Sequence, residues 1–352
     1  MHDHNLRNLS PLAMFLEMAR SNRPRHAYVE GDFAAWKARA LPEVLATLGE
    51  FPAAVPPRPE MVAEWSHAGL RTQKWYLDVG PHISAAFLIN FPANIASGAK
   101  LPGILCCHGH GAYGKEPVMG NDSGPELRAA IAGANYDYGR QMAQAGFVTF
   151  AIDWLGFGER RDGHKPNNFY RGSELRDWCA NLYLHATMLG MTTLGINVMH
   201  GRAAIDFALS FSEIDPERLG VMGLSFGGTM SLWMTLCDAR IKATEIICYS
   251  DLWEAFGIRD NNYCGSQVAP GLYRLVDLPD LQGLIAPRPL LVDLGANDTC
   301  FRIESSMPCF EKVRRIYQAA AAAEHLHLDL HPGGHAWGGN FSKNFFKHYL
   351  GG

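Results

Sequence analysis

Gly223-Leu224-Ser225-Phe226-Gly227 decides how this chain is read. The preceding Arg218-Leu219-Gly220-Val221-Met222 reads as a short buried strand, and Gly228-Thr229-Met230-Ser231-Leu232-Trp233-Met234-Thr235-Leu236 reads as a helix. A serine held between strand and helix sits on a tight, strained turn that lifts its hydroxyl clear of the backbone. The flanking glycines are needed because a side chain at either place would collide with the adjacent strand or helix. A bare G-x-S-x-G match is weak, since glycine and serine are common. The strand before it and the helix after it make Ser225 a candidate nucleophile rather than an ordinary turn serine.

A serine hydroxyl is a poor nucleophile unless a base takes its proton and a third group orients that base. Behind such a turn the partners follow in chain order: serine, then acid, then histidine. Pro289-Leu290-Leu291-Val292-Asp293-Leu294 reads as a buried strand, and Asp298 lies on the loop past its carboxyl end. A helix over 305–323 leads into the alternating strand Leu326-His327-Leu328-Asp329-Leu330. That strand runs out into His331-Pro332-Gly333-Gly334-His335-Ala336-Trp337. Asp298 is therefore read as the orienting acid and His335 as the base. Asp293, inside its strand, reads as structural. Asp251, after a strand over 243–249, is the best rival acid, and His331, ahead of the Gly333-Gly334 pair, is a weaker rival base. His325, His327, His331 and His335 have no carboxylate or cysteine at a recognisable ligand spacing, so no metal is expected from them.

Attack on a carbonyl makes an oxyanion that pre-placed N–H groups must hold. One donor is the amide after the nucleophile, that of Phe226; the other belongs on the loop after an earlier strand. Leu101-Pro102-Gly103-Ile104-Leu105-Cys106-Cys107 is such a strand, followed by His108-Gly109-His110-Gly111. The His110 amide is the choice for the second donor, and its imidazole reads equally well as a substrate contact or a solvated side chain.

Together these segments resemble the α/β-hydrolases, and specifically the dienelactone-hydrolase and acetyl-xylan-esterase-like branch. The resemblance rests on His108-Gly109-His110-Gly111, Asp153-Trp154-Leu155-Gly156-Phe157-Gly158-Glu159-Arg160, Gly223 to Gly228, Asp298 and His335, and spans roughly residues 73 to 350. It implies a mostly parallel central sheet covered by helices on both faces. It also implies a cofactor-free serine hydrolase cleaving a carboxylic ester of a small molecule, with short-acyl groups and acetylated sugars as the leading class. Dienelactone hydrolases resemble a shorter chain with a cysteine nucleophile, so serine here points to esters. The cephalosporin-deacetylase esterases usually carry Gln where this chain has Phe226. The same triad also serves carbon–carbon hydrolases acting beside a ketone. An oligopeptidase and a non-catalytic binding protein on this scaffold are the remaining readings.

Organisation along the chain agrees. Residues 1–70 read as a helical extension, with helices at 11–20 and 33–48, that could cap the pocket or support a homo-oligomer. Phe51-Pro52-Ala53-Ala54-Val55-Pro56-Pro57-Arg58-Pro59 is a connector that neither a helix nor a central strand would tolerate. Residues 71–352 read as the catalytic domain, opening with a hairpin about Gly80-Pro81. From there strand and helix alternate, as a doubly covered parallel sheet requires. Insertions at 155–192 and 250–286 read as lids; the first carries Tyr170, Arg171, Trp178, Tyr183 and His185, and the second carries Trp253, Phe256, Arg259, Tyr263 and Tyr273. Most of these aromatics are expected simply to pack the insertions onto the core.

With 352 residues, 47% of them hydrophobic, a large core is expected. A net charge of −4 shows no basic footprint for nucleic acid. No apolar run approaches the roughly 20 residues of a membrane span. The N-terminal residues show no basic-then-apolar signal pattern, and a cytoplasmic location is expected. The eight cysteines contain no C-x-x-C pair, so neither a zinc nor a redox pair is expected from spacing.

Overall fold

The computed structural model describes residues 7–161 and 178–351, with Trp178 described for its backbone alone. Tyr170, Arg171 and the Trp178 side chain, named above as pocket candidates, lie outside the described residues. One nine-stranded sheet organises the chain. Its strands are β1 (Glu60–His67), β2 (Leu70–Gly80), β3 (Ile83–Pro92), β4 (Leu101–Cys107), β5 (Val148–Ile152), β6 (Ile214–Leu224), β7 (Ile241–Ile247), β8 (Leu290–Gly295) and β9 (Leu326–His331). They run in the order β1-β2-β3-β5-β4-β6-β7-β8-β9. The expected hairpin is β2–β3, closed at Gly80↔Ile83, and β1, β2, β3 and β5 are joined antiparallel. From β5 through β4 to β9 every pairing is parallel.

Parallel neighbours need crossovers, usually helical, and the chain supplies them. Thr193–Ala208 precedes β6, Phe226–Cys237 joins β6 to β7, and Ile303–Ala319 joins β8 to β9. Strands covered on both faces read as continuous apolar runs, and β5 and β8 are buried at every position. Alternate side chains feed two cores. Leu105, Phe150, Val221, Ile246 and Val292 enter one, while Ile104, Ala151, Met222, Ile247 and Leu291 enter the other.

Helices occur in the N-terminal segment where expected, at Pro11–Ser21 and Phe33–Ala46. Each starts at a side-chain cap: Ser10 accepts from the Ala13 amide and Asp32 from the Ala35 amide. Trp36, Ala40 and Val44, spaced by four, bury one face of the second helix. The segment is not wholly helical, however, because β1 falls inside it and pairs with β2 along the sheet edge. Every β1 residue is exposed, so no alternating pattern marks it in the sequence. The segment also ties down the second insertion. Asn22 Nδ2 donates to the Tyr273 carbonyl, the Arg25 amide to the Arg274 carbonyl, and the Tyr28 amide to Asp280 Oδ1. Among the described residues no helix is long and apolar enough to cross a membrane.

Candidate active site

Ser225 stands between β6 and the helix Phe226–Cys237 with φ 62° and ψ −118°, a backbone conformation costly for any residue with a side chain. The crowding behind it explains the glycines. A Cβ at Gly227 would lie 2.0 Å from the Cys107 carbonyl oxygen, and one at Gly223 would lie 2.5 Å from that of Gly227. The Ser225 amide donates to the Ile247 carbonyl at 2.8 Å, which fixes the turn to β7. The strain is thus over-determined by packing on both sides.

Asp298 and His335 meet. His335 Nδ1 is 2.8 Å from Asp298 Oδ2, and the other carboxylate oxygen accepts the Cys300 amide at 2.7 Å and the Phe301 amide at 3.1 Å. Burial works to raise this carboxyl, but the His335 contact and the two amides hold it below its ordinary range. The Phe301 ring stacks on the His335 imidazole, centroids 5.7 Å apart and planes 16° off parallel. Ser225 and His335 both line a cavity of about 540 Å³. No hydrogen bond joins Ser225 to His335 among those of the described residues; such contacts commonly tighten only with substrate bound.

The loop that carries His335 is pinned from below. Asp293 Oδ2 accepts the Gly338 and Gly339 amides at 2.9 and 3.3 Å, and His331 Nε2 lies 3.2 Å from Asp293 Oδ1. Cys248 donates its thiol proton to the Ala336 carbonyl, and Trp337 Nε1 donates to the buried Glu245. Asp293 and His331 therefore support the loop, and His331 is absent from the cavity lining. The rival acid Asp251 is buried, which pushes its carboxyl up to about 6; it accepts the Leu252 amide and makes no contact with His335.

His110 lines the same cavity, and the buried Phe226 packs against its ring with centroids 5.2 Å apart. Phe226 opens its helix, so its amide has no intrahelical acceptor. The His110 amide donates to no backbone carbonyl among the described residues. Its neighbour Gly109 is held by Tyr136, whose hydroxyl accepts the Gly109 amide at 2.5 Å. His108 is wholly buried, and desolvation pushes its imidazole down to about 4. Its Nε2 accepts the Trp154 amide at 2.9 Å, tying the loop after β4 to the loop after β5.

The Asp153-to-Arg160 segment forms a buried ionic hub. Asp153 takes Lys115 Nζ at 2.8 Å together with the Lys115 and Glu159 amides. Lys115 is fully buried and reaches Glu159 as well. Sequence reasoning missed Lys115 and Tyr136, because neither sits in a motif and both act through distant partners.

Of the insertion aromatics and arginines named above, Tyr263 alone among those described lines the cavity. Trp253 and Phe256 join the core, Tyr273 packs against Trp253, and Arg259 pairs with Asp260. Asn261, Asn262, Cys264 and Cys300 line the cavity too. No residue before Gly109 does, so among the described residues the N-terminal helices do not form its wall.

Three clusters of the described residues could hold a metal: His110 with Cys179 and Cys264, and Cys248 with either Asp298 and His335 or Asp293 and His331. Burial, then the nearby Asp298 and Asp293 carboxylates, push the Cys248 thiol well up, which disfavours it as a ligand.

Known proteins share this fold. The protein named “Putative hydrolase YtaP” of Bacillus subtilis is 25% identical over 244 residues, covering 66% of this chain and 73% of that protein. Among solved structures, a “putative acetyl xylan esterase” from Bacteroides fragilis is similar with a TM-score of 0.73 at 20% identity, over 94% of this chain and 85% of that one. A glucuronoyl esterase from Solibacter usitatus gives a TM-score of 0.66 at 14% identity, over 95% of this chain and 100% of that one. At such identities these structures attest the α/β-hydrolase fold. The family model described as “Abhydrolase family” matches residues 4–333, which take in every strand of the sheet. By that match, and by the strained serine turn at the end of β6, the chain belongs to the Abhydrolase family.

Proposed function

We propose that this protein hydrolyses a carboxylic ester of a small molecule through an acyl-enzyme on Ser225. The observation that carries the reading is the hydrogen-bonded Asp298–His335 pair facing the cavity in which Ser225 stands on its strained turn. Asp298 accepts the Nδ1 proton of His335, leaving Nε2 as the base. His335 takes the Ser225 proton as Oγ attacks the ester carbonyl, and the His110 and Phe226 amides hold the oxyanion. The protonated imidazole then gives its proton to the leaving alcohol. Water, deprotonated in turn by His335, releases the acid and restores Ser225.

The cavity supports the proposed substrate class. Its size suits a small molecule rather than a polymer core, within the roughly 300–1,000 Å³ usual for such sites. Tyr113, Tyr136 and Tyr263 give aromatic walls, and Asn261 and Asn262 lie beside them, a pairing suited to sugar hydroxyls. Short-acyl esters, acetylated sugars among them, are the proposed substrates. Steady-state hydrolysis of p-nitrophenyl acetate, butyrate and octanoate, followed by acetylated xylose, tests this. The expected order of kcat/KM is acetate above octanoate; a preference for octanoate would overturn the short-acyl assignment.

A further inference from the structure

One imidazole and two thiols from remote parts of the chain converge at the rim of the cavity. His110 comes from the loop after β4, Cys179 from the helix Trp178–Met188, and Cys264 from the loop before the turn Gly265–Gln267. His110 Nε2 lies 2.9 Å from Cys264 Sγ, and the donor atoms of all three lie within 4.8 Å of one another. The cluster is set by packing. A Cβ at Gly265 would lie 2.4 Å from the Cys179 carbonyl oxygen, so the two cysteine-bearing segments touch backbone to backbone. The His110 ring packs against Phe157 and Phe226, centroids 5.5 and 5.2 Å away.

We propose that His110, Cys179 and Cys264 bind a zinc-class divalent cation, with the fourth coordination position opening on the cavity that Ser225 lines. Zinc bonds of about 2.3 Å to sulfur and about 2.0 Å to nitrogen set tetrahedral donors roughly 3.5–3.8 Å apart. Small shifts of the three side chains reach that spacing. Soft sulfur donors select zinc-like ions over magnesium or calcium. Binding converts both thiols to thiolates and releases their two protons to solvent, giving a cation–dithiolate unit of zero net charge. His110 and Cys264 line the cavity while Cys179 is buried behind them, so the open side faces the cavity. Three protein ligands with an open position are the pattern of a chemically accessible site rather than a closed structural one. Water or a carboxylate in the cavity takes that position. The site stands on its own donors and does not depend on the ester reading.

The test uses the full chain, stripped with chelator and kept reduced by a phosphine, with Co²⁺ as the spectroscopic probe. One cobalt per chain is expected, with a near-ultraviolet thiolate-to-cobalt band that one equivalent of Zn²⁺ removes. Cys179→Ser and Cys264→Ser should each weaken binding by more than the roughly 10–100-fold typical of outer-shell changes. Circular dichroism checks that the variants fold; should Cys179→Ser unfold, Cys264→Ser decides alone. Ser225→Ala should keep the band, so that the metal and ester readings fail separately. The absence of a stoichiometric band in the reduced wild type, or a band that survives both cysteine changes, would overturn the site.

Discussion

His335 Nδ1 and Asp298 Oδ2 lie 2.8 Å apart, and the second Asp298 oxygen is taken by the amides of Cys300 and Phe301. The carboxylate is thus locked to its own loop with one oxygen left for the imidazole. Asp298→Asn keeps the size and replaces the acceptor with an ambiguous amide, which favours the wrong imidazole tautomer. We expect kcat on p-nitrophenyl acetate to fall by roughly 10³–10⁴-fold with little change in the circular dichroism spectrum. A loss under tenfold would remove Asp298 from the orienting role.

His108 gives a prediction about stability and pH. Burial pushes its imidazole down to about 4, while an exposed histidine titrates near 6.5. Between those values the unfolded chain binds a proton that the folded chain does not, so stability is full above about pH 6.5 and falls as pH drops toward 4. His200, driven well down by burial and then by the Arg160 charge, acts in the same direction. For His108 alone the loss is about 3 kcal/mol over the window. Urea midpoints measured from pH 7 to 4 should show this fall, with a shallower slope in His108→Gln.

Lys115 and Asp153 form a fully buried pair with their charged atoms 2.8 Å apart. Removing one partner strands the other charge, at a cost of about 3–5 kcal/mol. Lys115→Met should therefore lower the urea midpoint sharply. The double variant Lys115→Met/Asp153→Asn should recover part of that loss, because the orphaned carboxylate is gone. A double variant less stable than the single one would show that the hub matters for its shape rather than its charge balance.

Much of the site could be read from the sequence because each part carries a local signal. Ser225 lies between an apolar strand and an apolar helix, Asp298 follows the end of β8, and His335 follows β9 on a glycine-rich loop. β1 could not be read, since an edge strand exposed at every position has no alternation. The insertion aromatics were equally opaque. Phe256 and Tyr263 lie seven residues apart, yet one is core and the other lines the cavity, a difference set by neighbours far along the chain. The His110–Cys179–Cys264 cluster joins positions 69 to 154 residues apart, and only the folded sheet brings them together.

Mass spectrometry after fluorophosphonate treatment decides whether Ser225 is the nucleophile. A single adduct is expected on the peptide containing Ser225, with parallel loss of p-nitrophenyl acetate turnover. Ser225→Ala should take up no label and lose activity by at least about 10³-fold. Normal turnover in Ser225→Ala, or an adduct formed at another residue, would contradict that role.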